Sequence, residues 1–131
     1  MRRARMAHRI KSNIASTKAL SPLVDWDIAI ALAYAAEQLF IAAQALTSDL
    51  VSTEQGLAVA DARMGALLDN GRFLPPPISQ RVRTLHAAYV NNRGTRCLEP
   101  RVAGALAQQT MSVLSEIRDV LANVENRRVA V

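Results

Sequence analysis

Apolar residues recur every seven positions in two long stretches of this 131-residue chain, and that period constrains the fold more than any other feature. Leu32, Leu39 and Leu46 form one row; Leu106, Val113 and Val120 form another, with Thr110, Ile117 and Val124 on the row beside it. Seven residues bring a side chain back to the same face of an α-helix after two turns, whereas a strand requires alternation by two, and no stretch of useful length alternates. Composition agrees with helix. Alanine, the strongest helix former, occurs 23 times, against five Gly and five Pro. With 50% hydrophobic residues the chain can bury roughly two-thirds of its unfolded surface in one core. A disordered or collagen-like chain is thereby excluded. The lone Cys97 excludes a disulfide scaffold and suits a reducing compartment, so the expected location is cytoplasmic.

Start and stop signals divide the chain into segments. Ser21 followed by Pro22 predicts the start of a helix that runs to about Thr47, apolar on nearly every side and therefore the central, most buried one. Ser52, Thr53 and Glu54 open the next, whose stripe is Leu57, Ala60, Met64, Leu67 and Leu68 and whose stop is Asn70-Gly71. Residues 72–77, ending in Pro75-Pro76-Pro77, read as an extended, polyproline-like strap between helices. A helix of about 13 residues carrying Ile78, Val82, Leu85 and Tyr89 follows, then a polar loop with Arg93, Arg96 and Cys97. Pro100 begins the last helix, which runs to about Asn126. The expected architecture is all-α: an antiparallel four-helix bundle over residues 21–131, preceded by a basic arm or additional helix over residues 1–20, with Met6, Ile10 and Ile14 on one face.

Charge is segregated along the chain. Residues 1–20 carry Arg2, Arg3, Arg5, Arg9, Lys11 and Lys18 and no acid; residues 21–70 carry seven acids against Arg63; residues 71–101 carry six arginines against Glu99. Segregation of this kind signals a partner, either another part of the fold or an outside polyanion. The basic start runs into Ile10-Lys11-Ser12-Asn13 without the apolar core of a secretory signal. The longest apolar run, Ile28 to Ala36, is about half of what a bilayer crossing needs, so no membrane is expected among the partners. Glu37 interrupts the most apolar helix, and an ion pair with the arginine-rich segment from Arg81 to Arg101 is the expected reason; a polar position at a subunit interface is the second.

Little of the chain suggests chemistry. His8, His86 and Cys97 are too far apart for metal-ligand spacing, and no Glu-x-x-His of the di-iron bundles occurs. Phosphate-binding glycine loops are missing as well, so neither metal nor cofactor is implied. One constellation remains: Arg81, Arg83 and His86 on one helix, with Asn91, Asn92, Arg93 and Arg96 just after it. Arginines hold phosphate and stabilise developing negative charge, while a histidine titrates near neutrality. Arg81 and His86, four residues between them on a late helix of a small four-helix bundle, form a pattern similar to the motif of HEPN-type ribonucleases and nucleotide-transfer partners. The resemblance covers six residues. Those families commonly place a polar residue after the Arg and a Tyr shortly after the His; here Val82 follows Arg81, and Tyr89 lies three residues beyond His86. For the same residues the bundle itself offers roles: His86 flanking the Leu85 and Tyr89 stripe and bonding within the fold, and the arginines pairing with the acidic helices.

Three functional expectations follow from these residues. The first is a non-enzymatic helical interaction module, homodimeric because an apolar two-sided helix is most easily covered by a second copy. Its basic groups, Arg2, Arg3, Arg5, Arg9, Lys11, Lys18, Arg81, Arg83, Arg93 and Arg96, would contact nucleic acid non-specifically or meet an acidic protein surface. The second, implied by the resemblance, is a small RNA-directed nuclease that brings Arg81 and His86 together from two facing subunits. The third is a protein-binding adaptor in which the charge plays no part.

Overall fold

The computed structural model describes residues 17–69, 73–95 and 97–130, and four helices account for most of them: α1 (Thr17–Leu46), α2 (Thr53–Asp69), α3 (Pro76–Asn92) and α4 (Pro100–Ala130). No strand occurs among the described residues. Helix α1 packs chiefly on α4 and α2, α2 also packs on α3, and α3 on α4, so neighbours in sequence are neighbours in space and the ring closes between α1 and α4. Gly56 in the first turn of α2 lies against Ala45 near the end of α1, Asp61 of α2 meets His86 of α3, and Tyr89 of α3 meets Thr110 of α4. The first and last of these join the late part of one helix to the early part of the next, and Thr53 and Glu54 at the start of α2 bond Leu98 just beyond the end of α3, so neighbours run antiparallel. The four-helix bundle expected from the seven-residue periods is therefore the fold.

Those rows build the core. Leu32, Leu39 and Leu46 from α1, Leu106 and Val113 from α4, and Met64, Leu67, Val82 and Leu85 from the shorter pair are all buried. Helices of 30 and 31 residues reach about 45 Å, while the two of 17 residues reach about 25 Å. The ends of α1 and α4 therefore project beyond α2 and α3 as a two-helix extension.

The boundaries differ from the sequence expectation in informative ways. Helix α1 begins at Thr17, not at Ser21, so the boundary drawn at residue 20 falls inside it; Pro22 sits one turn in and removes a single amide bond to the Lys18 carbonyl. Pro76 and Pro77 are not strap but the first two residues of α3, with Pro75 as the extended residue before them (φ −54°, ψ 140°). The first amides of a helix have no intrahelical acceptor, so proline loses nothing there. Two residues at each end, Pro76-Pro77 and Asn91-Asn92, thus extend α3 to 17 residues, although Asn91 and Asn92 read as its stop. Helix α4 continues past Asn126 to Ala130. The arm residues Arg2, Arg3, Arg5, Arg9 and Lys11, the Asn70-Gly71 stop and Arg96 lie outside the described residues.

Helix α1 packs on both α4 and α2, but it is not buried on every side as its apolar pattern suggested. It buries Leu32, Ala35, Leu39 and Ala42 completely but leaves Ile30, Tyr34 and Phe40 exposed on its outer side. Because apolar residues resume after Glu37 and Gln38, the 20 residues Asp27–Leu46 are long and apolar enough to cross a membrane by length and composition, which the nine-residue count missed. In the bundle this stretch supplies much of the core.

Candidate functional site

Helix α3 is where the sequence concentrated its chemistry, and its register separates the residues. Arg81 and His86 are five positions apart, about 140° around the helix. Arg81 reaches Glu116 on α4 at 2.8 Å, with both side chains substantially exposed. His86 instead faces α2, its Nε2 2.9 Å from Oδ1 of Asp61. Within one chain the two side chains address opposite neighbours. Arg83 donates to the Ser79 hydroxyl one turn earlier, at 3.0 Å.

Seven residues beyond His86, and so on the same face, Arg93 closes α3 and donates to the other Asp61 oxygen at 2.9 Å. One carboxylate thus holds both His86 and Arg93. Asp61 is largely shielded, its side chain 13% exposed. The 2.9 Å approach of His86 is close enough for an ion pair when the imidazole is protonated, but it is not aligned as a hydrogen bond, and Oδ1 has no other partner. Three residues beyond His86 on α3, Tyr89 is fully buried and shares a hydrogen bond with the Thr110 hydroxyl, which itself donates to the Leu106 carbonyl at 2.7 Å. Burial pushes the Tyr89 phenol up to about 12, the Thr110 bond acts in the opposite sense, and the negative charge of Asp61 adds to the rise.

Arg93 also borders an open cleft of about 540 Å³ between the start of α2 and the end of α3. Leu57 and Ala58 form its floor, Glu54 one rim, and Asn92 to Thr95 the other. Gly94 turns the chain there with φ +82°, a conformation that favours glycine. The loop is then latched to α2: Thr53 donates to the Leu98 carbonyl at 2.5 Å, and the Leu98 amide donates to Glu54 at 3.0 Å. Glu54 is held below the usual carboxylate range by its own backbone amide first; desolvation opposes this, and the Leu98 amide and the Ser52 hydroxyl add smaller lowering effects. Cys97, in that latched loop, is exposed.

Sequence reasoning placed His86 and Arg93 in one constellation, and the structure brings these two together. It missed Asp61, which it counted only as one acid of an acidic segment. The signal was the position of Asp61 beside the Leu57, Ala60 and Met64 stripe, where an acid needs a partner from the neighbouring helix. Glu37 corrects the expectation in the other direction. It is exposed on the outer side of α1 and has no ion-pair partner among the described residues, while its neighbour Gln38 is the buried polar group and accepts from Arg63 at 3.0 Å. Exposure lets a charged Glu37 keep its water, so no arginine is required. Comparison with protein-family models, with curated proteins and with solved structures finds no match to this chain.

Proposed function

We propose that the chain is a non-enzymatic helical interaction module that acts as a homodimer and contacts nucleic acid non-specifically through residues 1–20. The observation that carries this reading is how positive charge is used. In the bundle, Arg81 and Arg93 are each engaged by a carboxylate from a neighbouring helix, and Arg101 by Glu99. Residues 21–131 hold ten bases against eleven acids, so that part of the chain has no excess of positive charge to offer a polyanion. Residues 1–20 hold six bases and no acid. Such a segment neutralises phosphates without reading bases, and its affinity falls steeply with salt.

The test is a titration of labelled single-stranded RNA and duplex DNA with the full chain and with a variant in which Arg2, Arg3, Arg5, Arg9 and Lys11 are glutamine, each mixture also run on a denaturing gel. Binding of intact strands to the full chain, weakened by salt and lost in the variant, is the expected outcome. Cut RNA would transfer the reading to Arg81 and His86 as a nuclease pair, and no binding to either nucleic acid would leave the adaptor.

A further inference from the structure

Five of the eight large apolar side chains exposed on the described surface lie on one side of the bundle. Ile30, Tyr34 and Phe40 are on the outer side of α1, 52%, 41% and 42% exposed. Helix α2 flanks them on one side, where Arg63 donates to Gln38 of α1; Val59 stands one turn before Arg63 on that same face. Helix α4 flanks them on the other. Its Glu116 reaches α3, and Met111, about 140° around the helix from Glu116, points to the α1 side. At about 200 Å² for a fully exposed large side chain, these five together expose on the order of 400 Å², interrupted by Glu37, which is about half of the roughly 800 Å² per partner that a stable dimer buries. A cluster of this size is comparable to the largest apolar patch of an ordinary monomer, a kind of patch that often serves binding.

The order of residues along α1 names the occupant. Ile30, Ala33, Tyr34, Glu37 and Phe40 follow one another along the outer side. Laid antiparallel on itself about a two-fold axis level with the midpoint of Tyr34 and Glu37, the stripe places the Ile30 turn against the Phe40 turn of the second copy. It also places Tyr34 against Glu37 of that copy. The phenol then donates to the carboxylate, twice by symmetry, and this register sets no like charges of α1 against each other. Ala33, near the crossing, allows the two helices to approach closely. Glu37, exposed and without an ion-pair partner among the described residues, acquires a role in this arrangement.

We infer that the outer face of α1, flanked by Val59 and Met111, is the self-association surface of the protein, and that a second copy docks on it antiparallel through paired Tyr34 and Glu37 contacts. This inference rests on the reading of the chain as a homodimeric module and supplies the surface that reading lacks. It is tested by sedimentation velocity on the full chain over a wide concentration series, beside Phe40→Glu, Tyr34→Phe and, as a control away from the patch, Leu50→Glu. Leu50 is 93% exposed in the loop between α1 and α2. The expected result is a dimer for the unaltered chain and for Leu50→Glu, a monomer of unchanged helical circular dichroism for Phe40→Glu, and about tenfold weaker association for Tyr34→Phe. A chain that is monomeric throughout, a dimer indifferent to Phe40→Glu and Tyr34→Phe, or a dimer equally sensitive to Leu50→Glu would overturn it. The nucleic-acid titration fails separately: a dimer of the expected sensitivity that binds no strand leaves this surface standing and removes only the role of residues 1–20.

Discussion

At the scale of single residues the interior depends on one polar pair. Tyr89 and Thr110 occupy positions that the periodicities assign to the core, and both are fully buried. Their hydroxyls satisfy one another and the Leu106 carbonyl, so neither is left unpaired. Tyr89→Phe removes this shared hydrogen bond and should cost about 1 kcal/mol, read from urea denaturation. The same phenol governs behaviour in alkali. Its pKa is raised in the folded chain to about 12 from an ordinary value of 10.0, so its contribution is complete below pH 10 and is lost as the unfolded chain ionises first. Stability should therefore fall by about 2 to 3 kcal/mol between pH 10 and 12, and Tyr89→Phe should flatten that fall. A slope unchanged by the substitution would assign the titration elsewhere. The sequence showed Tyr89 and Thr110 as inward-facing, because burial follows helical period. That they meet was not visible, because contact between α3 and α4 depends on the relative shift of two helices, which no local pattern encodes. The same blindness hid the link between Asp61 and His86.

At the scale of elements, glycine has opposite consequences in different helices. A β-carbon on Gly56 would collide with the backbone carbonyl of Ala45, and a backbone atom cannot swing aside, so α1 and α2 approach here only because the side chain is missing. Gly65 in the same helix and Gly104 in α4 have open space at that position. Gly56→Ala should destabilise by about 1 to 3 kcal/mol, against a helix-propensity gain of about 1 kcal/mol, whereas Gly65→Ala and Gly104→Ala should raise the melting temperature. Thermal melts of the three variants decide the matter. Composition announced all these glycines equally, and only packing distinguishes them. Element existence and order were legible because each helix carries its own stripe. Helix starts were less so: Pro76 and Pro77 read locally as breakers, and their tolerance depends on the helix beginning there and not before. The extent of α1 was misjudged for a related reason, since a proline one turn inside a 30-residue helix removes one bond among many.

At the scale of the whole molecule, part of the charge segregation seen in the sequence is met inside the fold, where Arg81 and Arg93 reach carboxylates of α4 and α2, and residues 1–20 hold a separate basic run. The sequence could not choose between internal and external partners for those arginines, since segregation is the same in both cases. The site was legible in its residue types and not in its grouping, because Arg81 and His86 are close along the chain yet turned towards different helices. The alternation of directions has a mechanical corollary. Two up-and-down pairs return the chain to its starting pole, so Thr17 and Ala130 lie at the same end, on the extension formed by the two long helices. A force applied between those points peels α1 from α4 one turn at a time instead of sliding them past each other along their full length. Stretched by its ends in an optical trap, the bundle should open at low force in a gradual ramp that starts at the projecting tips and ends at the pole carrying Gly94 and the latched loop.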